Sequence, residues 1–216
     1  MRVKRVDATS KELLDPSNPA WRKTRPATVV LSPTPLEAQP SEYVRASWTG
    51  RPYGKATNVR VSAAHNGRDI FFRLRWDDET KDAAISDIDQ FLDAAAVLFP
   101  VTGDAPLLNM GSPQEPVNAW LWRPDWERPK NVAAKGFGTT ERRDDTALAG
   151  ASRHSRGAWD VVLSRPFAAK SAPPGTVALE RGATSKIAFA VWQGANQERA
   201  GMKAFSPDWQ ELEIEA

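Results

Sequence analysis

Alternating apolar and polar positions dominate the chain from about residue 58 onward and predict β-strands. Residues 59–63 and 70–76 form two such runs around the dipeptide Asn66-Gly67, the strongest short signal for a β-hairpin. Further runs rich in β-branched and aromatic residues are bounded by Gly, Pro or Asp; they cover residues 94–99, 117–122, 132–137, 158–163, 186–192 and 211–214. With an edge strand at 28–31, the pattern predicts about eight or nine strands.

The spacing of these strands favours a mainly β fold. No amphipathic helices separate the runs, which argues against a doubly wound α/β sheet. Short strands at regular spacing are typical of an antiparallel β-sandwich with immunoglobulin-like two-sheet architecture, a few short helices and long loops. We expect a short helix or long loop at 77–93, and exposed loops at 139–156 and 168–175.

Length and composition fit one domain. The chain has 216 residues, which suits a single globular unit. Its first 50 residues are rich in proline, which cannot donate to a helix or a sheet ladder. We therefore expect a single domain over residues 1–216, with residues 1–50 as a Pro-rich arm packed on that domain or on partner subunits.

Charge and cysteine content exclude several function classes. The 29 basic and 27 acidic residues give a net charge of +2, too small to favour nucleic acid as a partner. The absence of cysteine excludes disulfides, thiolate metal sites, iron-sulfur ligation and covalent C-x-x-C-H haem attachment. We find no export signal at the N-terminus and no apolar run long enough to span a membrane.

Catalytic motifs are missing from the sequence. Nothing resembles a P-loop, a dinucleotide fingerprint, a nucleophile elbow or a zincin helix. Asp77, Asp78 and Glu79 follow a predicted strand and are expected to form a solvated turn. His65 and His154 are expected to have structural roles. A hydrolase interpretation is therefore left without catalytic residues.

Nine tryptophans leave a carbohydrate-binding module open as one interpretation, because exposed rings stack on sugars. The other interpretation is that most of them fill the core between the sheets, which we favour. Trp120 and Trp122 lie two residues apart on a predicted strand and therefore share one face.

Segments spread in order along nearly the whole chain resemble the γ subunit of ethylbenzene dehydrogenase, a molybdenum enzyme. The most specific is the run Asn196-Gln197-Glu198-Arg199-Ala200-Gly201-Met202-Lys203, and the Met110-Gly111 step is another. The matching segments are residues 4–6, 11–14, 32–36, 64–67, 96–100, 109–111, 116–122 and 185–206.

The resemblance implies a non-covalent haem b in a pocket of the β-sandwich, with Met110 and Lys203 as the two axial iron ligands. Met202 is a rival ligand, but adjacent residues in an extended chain point to opposite faces, so Met202 and Lys203 would not both reach the iron. A lysine binds iron only as the neutral amine, and deprotonating a free lysine at pH 7 costs about 4.6 kcal/mol. Burial in an apolar pocket must offset part of that cost.

The resemblance also implies the biological setting. The chain would be the non-catalytic electron-transfer subunit of a heterotrimer with a molybdopterin catalytic subunit and an iron-sulfur subunit. The complex would oxidise a hydrocarbon or steroid side chain and pass electrons to an external acceptor such as a cytochrome c. We expect a periplasmic location, reached by co-export with the catalytic subunit. The alternative is a haem-free β-sandwich that binds a carbohydrate or a protein.

Overall fold

β-Strands form the framework of the chain in the computed structural model, which describes residues 1–168 and 172–216. The strands are β1 Arg2–Arg5, β2 Ala27–Val30, β3 Ser32–Pro33, β4 Asn58–His65, β5 Asp69–Asp77, β6 Ala94–Pro100, β7 Val117–Trp122, β8 Lys130–Ala134, β9 Glu141–Arg143, β10 Ala149–His154, β11 Ala158–Pro166, β12 Thr184–Trp192, β13 Ala204–Phe205 and β14 Gln210–Ile214. The short helices are α1 Ser10–Leu14, α2 Glu42–Trp48 and three 3-10 turns at Pro19–Lys23, Leu36–Ala38 and Gly194–Asn196.

The strands follow one hydrogen-bonded path with the order β10-β11-β5-β4-β1-β14-β12-β6-β7-β8-β9. Strand β12 links its two halves, because Thr184 to Ile187 pair with β14 whereas Ala188 to Trp192 pair with β6. Every strand pair is antiparallel except those of β1, which runs parallel to both β4 and β14. The predicted mainly β, sandwich-like fold is confirmed, although its two layers are continuous rather than separate sheets.

Large aromatic side chains fill the space between the two layers. The ring of Phe72 on β5 lies 5.7 Å from Phe99 on β6 and 5.8 Å from Trp120 on β7. Trp76 on β5 likewise meets Trp122 on β7 at 6.2 Å. All five rings are at least nine-tenths buried. The expectation that most tryptophans pack in the core is therefore confirmed for these positions.

The prediction of a loop at 139–156 is wrong, since this segment contains strands β9 and β10. Strand β10 has the sequence Ala-Gly-Ala-Ser-Arg-His, which lacks branched apolar residues, yet it pairs with β11 over its whole length. Strand propensity depends strongly on the neighbouring strand, and β11 is almost entirely buried. After Asp77, which ends β5, the segment up to residue 93 forms a long loop, the second of the two alternatives predicted for it. The predicted loop at 168–175 lies partly outside the described residues.

The N-terminal 50 residues contribute to the sheet as well as covering it. Strand β1, which the sequence pattern does not predict, lies between β4 and β14, and β2 pairs with β4. Helix α1 begins at a capping box in which Thr9 and Glu12 satisfy each other's backbone N–H groups. No helix in the described ranges has the length and apolarity needed to cross a membrane.

Candidate functional site

A cavity of about 520 Å³ lies on the outer face of β6, β7 and β12. Ala96 and Leu98 of β6, Ala119 and Leu121 of β7 and Ala190 of β12 form its floor. The residues between them in each strand belong to the core between the layers. Because side chains alternate across a strand, the same three strands supply the core on one face and the cavity on the other.

The floor combines three alanines with two leucines, and the walls are mostly apolar. Every residue of β6 is buried, as expected of a strand covered on both faces. The walls come from helix α2, the end of β12 and several loops, so that the site is assembled from distant parts of the sequence; they include Thr34, Val44, Phe91, Leu92, Leu107, Leu108, Met110, Trp126, Phe137, Trp192, Arg199 and Lys203. The cavity suits a largely apolar ligand.

Met110 stands on the cavity wall in an unusual backbone conformation. Its φ is 59°, and its N–H donates to the Leu107 carbonyl at 3.1 Å while its own carbonyl accepts from Gly136 at 3.1 Å. Gly111 follows with a φ of 86°, and a Cβ there would lie 2.8 Å from the Glu115 carbonyl oxygen. The tight turn that presents the Met110 thioether therefore requires glycine at position 111.

Lys203 lines the same cavity just before β13. Its Nζ lies 5.1 Å from the centre of the Trp192 ring, and no carboxylate in the described parts of the chain pairs with it. Burial lowers the pKa of Lys203 from 10.5 to about 8, because an apolar environment disfavours the charged amine. The Lys203 carbonyl accepts from the backbone N–H of Thr34 at 3.0 Å, which fixes the chain at this point.

The loop that leads to Lys203 is held by buried polar contacts. Glu198 is 1% exposed and accepts from the backbone N–H of Gln193 at 3.0 Å. A Cβ at Gly201 would lie 2.0 Å from the Gln39 side-chain oxygen, so any larger residue there would have to displace the Gln39 side chain. These contacts explain why the Glu198 and Gly201 positions accompany Lys203 in the sequence motif.

The other candidate ligands lie outside the cavity. Met202 is 2% exposed and does not line it. His65 is fully buried and accepts from the Gly67 N–H at 3.1 Å, and Nε2 of His154 lies 2.8 Å from the Asp78 carbonyl oxygen. Both histidines have the structural roles that the sequence predicts.

Three arginines line the cavity, and sequence reasoning did not select them. Arg123 forms a two-pronged contact with Asp125, at 3.0 and 2.8 Å. Arg142 and Arg199 form no ion pair with any described carboxylate, and the Arg199 guanidinium lies 4.1 Å from the centre of the Phe91 ring. The arginines reach the cavity through the packing of loops, which no local sequence motif encodes. Two cationic side chains are therefore available to an anionic group.

Comparison with known proteins places these features in a family. Residues 18–150 and 141–204 match the family model described as ethylbenzene dehydrogenase. The chain is 38% identical over 211 residues to chlorate reductase subunit gamma of Ideonella dechloratans, which covers 97% of this chain and 83% of that protein. It is 35% identical over 195 residues to the "Putative respiratory nitrate reductase heme subunit ORF7" of Haloferax mediterranei, which covers 90% of this chain and 66% of that protein.

A solved structure shares the architecture. The crystal structure of a "putative carbohydrate-binding protein" from Bacteroides uniformis ATCC 8492 aligns with 100% of this chain and 98% of its own length, at a TM-score of 0.58. The sequence identity is 13%, so the likeness shows the sandwich fold alone.

Proposed function

The chain belongs to the ethylbenzene dehydrogenase family, and on that basis we propose that it is the haem b electron-transfer subunit of a molybdenum dehydrogenase complex. One observation carries the proposal: Met110 and Lys203, far apart in sequence, line one apolar cavity. Two relatives are named as the gamma subunit of a chlorate reductase and as a heme subunit, which supports a haem-carrying role in an oxidoreductase.

The donor set of the cavity fits a non-covalent haem. The thioether of Met110 and the amine of Lys203 are the proposed axial ligands, and the chain has no cysteine for covalent attachment. Haem supplies a reversible one-electron iron couple, and thioether ligation favours its reduced form. With Met110 and Lys203 both bound to the iron, no position would be left for a substrate, so electron transfer is the function that follows.

The pocket prepares Lys203 for metal binding. With a pKa of about 8, holding the amine neutral at pH 7 costs about 1.4 kcal/mol, compared with about 4.6 kcal/mol for a free lysine. The cavity therefore removes more than half of the proton cost before any bond to iron forms. No neighbouring carboxylate in the described residues opposes this effect by stabilising the ammonium form.

Arg142 and Arg199 are the proposed partners of the haem propionates. Both line the cavity without a carboxylate partner among the described residues, and guanidinium groups bind carboxylates through paired N–H donors. Arg123 is a weaker choice because Asp125 already occupies it.

The proposed setting is a heterotrimer in which residues 1–216 form one haem-binding domain beside a molybdopterin catalytic subunit and an iron-sulfur subunit. Electrons from a hydrocarbon or steroid side chain would pass through the iron-sulfur subunit to this chain and on to an acceptor such as a cytochrome c. We propose a periplasmic location, reached by co-export with the catalytic subunit. Family membership and the resemblance of the whole chain to a γ subunit support this setting.

The test is a reduced-minus-oxidised visible spectrum with a pyridine haemochrome assay on the purified complex. We expect a low-spin b-type spectrum that Met110→Ala and Lys203→Ala each disturb. Met202→Leu and Lys186→Ala serve as matched controls outside the cavity and should leave the spectrum unchanged. A haem-supplied complex without Soret absorption would contradict the proposal, and retention on a polysaccharide would then favour the carbohydrate-binding alternative.

A further inference from the structure

Three acidic residues meet behind the cavity wall. Asp78 follows β5, Asp82 lies in the long loop after it, and Asp93 precedes β6. One carboxylate oxygen from each lies within 4.8 Å of the others. Asp93 is 0% and Asp78 5% exposed. Carboxylates this deeply buried are expected to have partners that neutralise their charge.

The described residues supply no such cation. No lysine, arginine or histidine among them forms an ion pair with Asp78, Asp82 or Asp93. The Oδ2 atom of Asp78 is buried and accepts no hydrogen bond from any described donor. Neutral donors surround the cluster: the Thr80 N–H and hydroxyl donate to Oδ1 of Asp78, and the Ala195 N–H donates to Asp82. Neutral hydrogen bonds do not cancel the charge of three carboxylates, so the cluster lacks a positive partner among the described residues.

Asp93 is nevertheless tightly positioned. Its Oδ1 accepts from the Gly194 N–H at 2.9 Å, and its Oδ2 accepts from the Asp82 N–H and the Trp159 Nε1, both at 2.8 Å. Burial, together with the nearby charge of Asp78, raises the pKa of Asp93 to about 7. These contacts fix the orientation of the Asp93 carboxylate, but their donors are neutral and do not cancel the negative charge of the cluster.

We propose that Asp78, Asp82 and Asp93 bind a hard divalent cation of the Ca²⁺ class. The donors are oxygen atoms only, which Ca²⁺ prefers. At Ca²⁺–oxygen distances of about 2.3–2.6 Å, oxygens on opposite sides of the ion are about 4.6–5.2 Å apart, so three carboxylate oxygens that lie within 4.8 Å of one another can share one ion. Mg²⁺ requires near-ideal octahedral geometry at about 2.0–2.1 Å and gives up its water ligands reluctantly, so a set of carboxylates held in place by the protein favours the more adaptable Ca²⁺.

The proposed ion would hold the loop that forms one side of the cavity. Phe91 and Leu92, just before Asp93, line the cavity. A Cβ at Gly194 would lie 2.0 Å from the Phe91 carbonyl oxygen and 2.7 Å from the Asp82 Cβ, so the loop packs directly on the residues that follow β12. The ion would thereby tie β5, β6 and the end of β12 together beside the cavity.

The experiment uses the full chain, freed of metal with a chelator and then titrated with CaCl₂. We expect millimolar Ca²⁺ to raise the melting temperature by about 5 °C or more, as a ligand present at about 100 times its Kd would, and Mg²⁺ to raise it less. Tb³⁺, a luminescent Ca²⁺ analogue, should emit on tryptophan excitation because Trp159 contacts Asp93. Asp78→Asn and Asp82→Asn should each weaken Tb³⁺ binding at least tenfold.

Asp77→Asn is the matched control, because it removes one carboxylate from the adjacent, exposed position and should leave Tb³⁺ affinity unchanged. The proposal is overturned if Ca²⁺ leaves the wild-type melting temperature unchanged and Tb³⁺ emission is absent, since the carboxylates would then share protons instead. Equal loss of Tb³⁺ binding in Asp77→Asn would also contradict it. These readouts need no haem, so they are independent of the proposed electron-transfer function.

Discussion

The two faces of β6, β7 and β12 differ sharply in side-chain size. On the inner face, Phe99 and Trp120 pack at 5.1 Å within a closed core, whereas Ala96, Ala119 and Ala190 leave space on the outer face. One face contributes stability by burying large rings, and the other contributes room for a ligand. We therefore expect that stability and ligand affinity can be altered separately by substituting neighbouring residues on one strand.

Trp120→Ala should give the largest loss of stability. Trp120 is 1% exposed, and truncating a buried tryptophan costs about 3–5 kcal/mol. Leu121→Ala, one residue along and facing the cavity, should cost about 1 kcal/mol in the haem-free protein because Leu121 is only half-buried. Denaturant unfolding of both variants measures the difference. Equal losses would show that the two faces are equally well packed.

Lys203 should make the free energy of unfolding of the haem-free protein rise with pH in the alkaline range. Its pKa is about 8 in the folded chain, against an ordinary value of 10.5, so between these values the unfolded state binds more protons. The free energy of unfolding should therefore rise by about 2 kcal/mol between about pH 7.5 and about pH 10, relative to Lys203→Met. Urea unfolding at several pH values tests this. If the free energy of unfolding has the same pH dependence in the wild type and in Lys203→Met, the Lys203 amine is solvated and not buried in the cavity.

Ala96→Phe should block the cavity without harming the fold. Ala96 faces the cavity, whereas Ala95 faces the core. We expect Ala96→Phe to lower haem affinity at least tenfold and to change the free energy of unfolding by less than about 1 kcal/mol, while Ala95→Phe should destabilise by about 1–3 kcal/mol or more through overpacking. Haem titration and denaturant unfolding distinguish the two. Unchanged haem uptake by Ala96→Phe would place the ligand elsewhere.

Arg199→Gln should give the smallest effect. The side chain is exposed, and exposed ion pairs contribute little, so we expect haem affinity to fall about two- to fivefold. Arg123→Gln is the matched control and should have less effect because Asp125 already pairs with Arg123. Haem transfer to apomyoglobin measures both. A larger effect of the Arg123 substitution would reverse the propionate assignment.

The sequence predicted the fold class well because β4 and β5 carry an Asn-Gly turn between alternating runs. It missed β1 and β10, whose short, polar sequences become strands only through pairing with buried neighbours. Local pattern therefore identifies strands that have an apolar face and fails for those that depend on tertiary context.

For the site, the resemblance selected Met110 and Lys203, and both line the same cavity in the structure; their role as ligands stays a proposal. Alanines at positions 94, 96, 119 and 190 line the cavity, but Ala95 between the first two faces the core, so alanine content alone does not identify the cavity floor. The arginines and the Asp78, Asp82 and Asp93 cluster come together only through loop packing, so no spacing in the sequence reveals them.

The most direct test of the central claim is NMR of the haem-loaded, ferrous protein with ¹³C-methyl-labelled methionine. The chain has three methionines, and a methyl group held over the haem ring is shifted strongly upfield. We predict one such resonance, lost in Met110→Ala and retained in Met202→Leu. A shifted resonance that survives Met110→Ala, or the absence of any shifted methionine methyl in the wild type, would contradict Met110 ligation.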